Sequence, residues 1–83
     1  MKVRDFLKDR YTSYTASFRN GAECALDWVD DNLLRLSLDD LKDCLREHLK
    51  RSEMNYEYAP NDEARQFQQG YQAVCKHFLG VNV

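Results

Sequence analysis

Cys44 and His48 stand four residues apart, a spacing that would aim a thiolate and an imidazole from one helix face at one metal ion. Cys75 and His77 are two apart, which sends them to different faces. A tetrahedral zinc site needs four converging ligands, and the chain holds no Cys-x-x-Cys and no His-x-x-x-His. A cysteine near a histidine is also the minimum for a thiol nucleophile. The Gly-rich oxyanion turn and the nucleophile elbow that such chemistry needs are missing. The acid pairs Asp30-Asp31 and Asp39-Asp40 are adjacent in sequence, so on a helix they splay apart and share no proton. No glycine-rich phosphate loop is present. These residues point to a protein that is not an enzyme, with no catalytic residues, no cofactor and no metal.

Recognition is the chemistry that is left. Tyr11, Tyr14, Trp28, Met54, Tyr56 and Tyr58 are of types enriched at protein interfaces. Tyr11 and Tyr14 read in the first place as core of the domain, and Trp28 ends an apolar row. Met54-Asn55-Tyr56-Glu57-Tyr58 mixes large apolar and acidic residues in what reads as a loop, either folded back as a lid or presenting an anchor. Nucleic acid is a weaker match. The net charge is −2, whereas groove binders are basic. Lys2, Arg4, Lys8, Arg10 and Arg19 make the first nineteen residues basic, but Asp5 and Asp9 interrupt them. Residues 20–47 are acidic, so the faces are simply solvated or form a dipolar surface that orients a partner. The polar face Arg65-Gln66, Gln68-Gln69 and Gln72 is the nearest thing to a groove-reading helix.

The elements that must carry these residues are helices. Leu7, Tyr11, Tyr14, Phe18, Gly21, Ala25 and Trp28 alternate by four and three, with Ala22, Leu26, Val29 and Leu33 as an adjoining row. This predicts a short helix at about 3–10 and a long central one at about 13–35, capped by Thr12 or Ser13 where they are not continuous. Ser37-Leu38-Asp39-Asp40 resembles a capping box, with Leu36 and Leu41 placed as a hydrophobic staple. Leu38, Leu41, Leu45 and Leu49 carry that helix over about 38–51, with basic residues in its last turn. Periodicity is lost over 52–60. Asn61 caps a last helix at about 61–79, with Ala64, Phe67, Tyr71, Val74 and Phe78 on one face and Gly80 as a left-handed cap. No segment reads as a strand. The fold class is all-α, a bundle of three to four helices in one domain spanning 1–83.

Two segments stand out: Phe18-Arg19-Asn20-Gly21 and Phe67-Gln68-Gln69-Gly70. Apolar residues follow each Phe at the same offsets: Ala22, Ala25, Leu26 and Val29 in one, Tyr71, Val74, Cys75 and Phe78 in the other. Glycine costs about 1 kcal/mol in a helix interior relative to alanine. Matched glycines therefore predict a helix crossing, antiparallel or crossed, too close for a side chain. The small Ala22 and Ala25 oppose the larger Tyr71 and Val74.

A 23-residue helix spans about 34 Å and its shorter partner about 21 Å. The uncovered length of stripe predicts a homodimer. Three cysteines without paired spacing, and an N-terminus with no apolar run, predict buried thiols in a reducing cytoplasm and no membrane span. The sequence reading is thus a protein-binding module, an inhibitor, adaptor or chaperone-like accessory protein of the kind common in bacteriophages and mobile elements. A small DNA-associated regulator and a subunit of a larger assembly are the alternatives.

Overall fold

The computed structural model describes residues 15–80. The helix expected at 3–10, the caps Thr12 and Ser13, and Tyr11 and Tyr14 lie outside these residues. Among the described residues the chain forms three helices and no strand: α1 (Ala16–Asn32), α2 (Leu38–Glu57) and α3 (Asp62–Leu79).

Each helix starts on a side-chain cap. Thr15 Oγ1 accepts from the Phe18 N–H at 3.2 Å, Ser37 Oγ from Asp40 at 3.2 Å, and Asn61 Oδ1 from Ala64 at 2.9 Å. Leu36 and Leu41 pack in the same cluster beyond the Ser37 cap, as a staple requires. Gly80 ends α3 with φ 74°, in the left-handed region.

Three boundaries differ from the sequence reading. The long helix expected from about 13 begins at Ala16, because Thr15 is extended and its side chain caps the first turn. α1 ends at Asn32, where Leu33 closes the last turn through its N–H to the Val29 carbonyl. α2 does not stop near residue 51 but runs to Glu57, so Met54 and Tyr56 are helical and Tyr58 is its C-cap. Its last turn accordingly holds no basic residue, contrary to the expected charge pattern.

α3 is the helix in the middle. α1 and α2 both pack along it and touch each other little. Ser52 meets Gln68 and His48 meets Tyr71, so α2 runs antiparallel to α3. α1 and α3 run in the same direction. Phe18 and Gly21 lie level with Phe67 and Gly70, Ala22 and Ala25 cluster with Ala73 and Val74, and Val29 packs with Cys75.

The glycines sit where α1 and α3 cross. A Cβ on Gly21 would stand 2.7 Å from the Phe67 carbonyl carbon and still nearer its oxygen. A Cβ on Gly70 would meet the Phe18 carbonyl in the same way, at 2.8 Å from its carbon. The two Phe-x-x-Gly segments thus face each other in parallel, each glycine receiving the other segment's backbone. The antiparallel alternative does not hold, because the chain reverses twice between them, once into α2 and once out of it. Ala22, Ala25, Leu26 and Val74 are buried around the crossing, with Tyr71 half-buried against them.

Candidate functional site

The contact between α2 and α3 is polar along its middle. Ser52, itself buried, donates its hydroxyl to Gln68 Oε1 at 2.7 Å, with the Gln68 carbonyl at 3.3 Å. One helical turn away, the Tyr71 hydroxyl and His48 Nδ1 share a hydrogen bond of 2.6 Å. The Trp28 ring reaches across from α1 to lie 4.5 Å from that of His48. Burial, then the nearby Arg51 charge, hold the His48 imidazole below its ordinary 6.5. Burial first, then Cys75 and Cys24, push the Tyr71 phenol up to about 12, against an opposing pull from Arg51.

A groove runs along each side of the Ser52–Gln68 contact. Helix phase decides which residues enter which: at 100° per residue, Glu53, Tyr56 and Glu57 fall to one side of Ser52, and His48, Arg51 and Asn55 to the other.

The first groove has a volume of about 810 Å³ and is open to solvent. Glu53, Met54, Tyr56, Glu57 and Tyr58 form its α2 wall, Arg65 and Gln72 its α3 wall. Helical geometry arranges what the sequence merely alternates. Met54 and Tyr58, four apart, form an apolar row, and Glu53 and Glu57 form an acidic row. Tyr58 is 79% exposed and Met54 61%. Arg65 is held by Asp62 at 2.8 Å, while Glu53 and Glu57 form no ion pair with any described residue. The partial negative charge of the α2 C-terminus adds to theirs.

The second groove lies between α2 and α3 on the other side of the Ser52–Gln68 contact, with a volume of about 220 Å³. His48, Arg51, Ser52 and Asn55 line it from α2, Phe67, Gln68 and Tyr71 from α3. Among the described residues no carboxylate lines it.

The other sequence candidates are distributed as follows. Trp28 is half-buried and engaged with His48. Phe18, Gly21, Phe67 and Gly70 form the helix crossing. Cys24 is exposed, Cys44 half-buried and Cys75 buried, so the expectation of three buried thiols fails at Cys24, which lies on the solvent side of α1. Among the described residues no three Cys, His, Asp or Glu side chains gather to hold a metal ion. The polar face of α3 is largely committed. Arg65 pairs with Asp62, Gln68 accepts from Ser52, and Gln72 lines the acidic groove. His48, Arg51 and Ser52 did not register as a site in the sequence. Their signal was a polar row at spacings of three and four continuing the Leu41–Leu45 face.

Comparison with protein-family models, with curated proteins and with solved structures yields no match.

Proposed function

We propose that this chain is a non-enzymatic protein-binding module whose contact surface is the groove of Glu53, Met54, Tyr56, Glu57 and Tyr58. The carrying observation is the exposed Met54–Tyr58 row beside two acidic side chains that form no ion pair with any described residue. Tyrosine and methionine supply large contact area at interfaces. An acidic row at a helix C-terminus lacks the cations that would normally balance it. The partner that suits both is a segment with a basic residue next to a large apolar one. Binding of this kind serves an inhibitor, an adaptor or a chaperone-like accessory protein. The cysteines fit a reducing cytoplasm, and no helix among the described residues is long and apolar enough to cross a membrane.

Homodimerisation is proposed on a new observation. α2 has 20 residues and α1 has 17, so the length mismatch that predicted it is gone. The apolar corner between them, Leu33, Leu34 and Leu38, is exposed, Leu34 completely. That corner is the surface a second copy would cover, and sedimentation velocity of the Leu34→Ser variant against the parent tests it. Loss of the dimer in the variant supports it, and a monomeric parent at tens of micromolar removes it.

The test of the main reading is affinity capture with the parent and with Met54→Ser/Tyr58→Ser. One stoichiometric protein, retained by the parent after nuclease treatment and lost by the variant, is the expected result. Equal capture by both proteins would overturn the groove assignment. Recovery that nuclease abolishes would favour the DNA-associated reading.

A further inference from the structure

The second groove has the opposite character to the first, and its polar groups are unequally occupied. Ser52 and Gln68 satisfy each other, and so do His48 and Tyr71. Two donor side chains on its rim do not have such partners. Arg51 and Asn55, four residues apart on α2, form no hydrogen bond or ion pair with any described residue. Below them the half-buried Phe67 and Tyr71 rings provide an apolar floor. A guanidinium offers five N–H donors in a planar fork and an asparagine amide two more, and among the described residues neither group on this rim has an acidic neighbour within the groove.

We propose that this trough binds a monocarboxylate borne on a small apolar body, the carboxylate held by Arg51 and Asn55 and the body lying on Phe67 and Tyr71. The charge argues for a carboxylate over a phosphate. One guanidinium balances one negative charge, whereas a phosphate monoester carries about −1.5 to −2 and would be left under-neutralised. The size argues for a small body. The volume of about 220 Å³ lies under the roughly 300–1,000 Å³ of pockets for drug-sized ligands. Two sources supply this chemistry, a free organic acid and the C-terminal carboxylate of a docked chain ending in an apolar residue. The proposal is independent of the Met54–Tyr58 groove, which lies on the other side of the Ser52–Gln68 contact.

Titration with benzoate, followed by amide and side-chain NMR shifts and by Trp28 fluorescence, is the experiment. Benzyl alcohol serves as the uncharged control, and a tetrapeptide with a free C-terminal Phe as the second arm. Saturable shifts at Arg51, Asn55 and Phe67 with benzoate but not with benzyl alcohol are expected. They should weaken at least about tenfold in Arg51→Gln, the loss of one charge-assisted bidentate contact. Arg65→Gln, in the other groove, should leave them unchanged. Peptide binding about tenfold tighter than benzoate identifies a chain terminus as the source, and comparable or weaker peptide binding identifies the free acid. Either result supports the site. Absence of saturation with both ligands, equal shifts with benzyl alcohol, or full binding by an Arg51→Gln protein with an unchanged melting temperature would overturn it.

Discussion

α3 meets its two neighbours in different ways. Against α1 it presents Gly70, Ala73 and Val74, and the backbones come so close that no Cβ fits at the crossing. Against α2 it presents Cys75, Phe78 and Leu79 to Leu41 and Leu45 at one end and, further along, Gln68 and Tyr71, which hydrogen-bond to Ser52 and His48 with grooves beside them. The first interface is closed at its crossing, and the second, apolar at one end, is polar along its middle and leaves space there. Close packing fixes one arrangement, because a void or an extra methylene is felt at once. Side-chain hydrogen bonds hold helices at greater separation and leave room for ligands beside them. The tightest packing therefore lies at the α1–α3 crossing, and the open space beside the polar stretch of α2 and α3.

The largest break in this comparison is a side chain at the crossing. Gly21→Leu and Gly70→Leu each force a Cβ into a backbone carbonyl of the facing helix, which cannot rotate away as a side-chain tip would. Overpacking in a core typically costs about 1–3 kcal/mol and occasionally more, and here the two helices must separate. Each variant should lose about 3 kcal/mol, a fall in melting temperature of roughly 12–24 °C for a domain of this size. Gly→Ala at either position should destabilise as well, although alanine is the better helix former by about 1 kcal/mol. Thermal unfolding followed by circular dichroism decides. An alanine variant that melts higher than the parent would show that the crossing has slack.

How legible each side was in the sequence follows from the same difference. The α1–α3 side was readable. Its pairing is written in apolar residues and glycines at matched offsets, and hydrophobic periodicity sees those. The direction of the crossing was not, because Phe-x-x-Gly has the same spacing whichever way the helices run, and only the intervening α2 makes them parallel. The polar side was misread. α2 loses its apolar row after Leu49 because its next buried position is Ser52, so the pattern ends while the helix goes on. Neither Gly nor Pro interrupts residues 50–57, and Pro60 is the first breaker. Placing Met54, Tyr56 and Tyr58 in a loop followed from that error. It concealed that Met54 and Tyr58 share one row and Glu53 and Glu57 another.

A smaller effect sharpens the polar side. Ser52→Ala removes the donor to Gln68 without enlarging any side chain, and Gln68, being half-buried, can turn to water. The expected loss is about 1 kcal/mol, the net contribution of one hydrogen bond. A double-mutant cycle with Gln68→Ala should recover most of that figure as coupling. Coupling indistinguishable from zero in denaturant titrations would mean that Ser52 acts only as a small packing residue. The polar interface would then rest on His48 and Tyr71 alone.

The smallest effect, and the most diagnostic, is the pH response of His48. Burial and Arg51 lower its pKa in the folded protein below 6.5. Between that lowered value and 6.5 the unfolded chain binds more protons than the folded one, so stability rises with pH across this window. The His48 contribution is complete above 6.5 and is lost as the pH falls through the folded pKa. The slope should be shallow, since the ring is only half-buried and solvent screens its charge. His48→Gln should flatten the slope in urea titrations between about pH 5 and 7, a range above most carboxylate titrations. Arg51→Gln should flatten it in part, by removing the second cause and leaving burial. A carboxylate bound at Arg51 should act in the same sense, offsetting the guanidinium charge and raising the His48 pKa. Following the His48 ring protons by NMR with and without benzoate measures that shift at the residue itself. A downward shift on adding benzoate would place the anion elsewhere, and an unchanged slope in His48→Gln would remove His48 from the pH response.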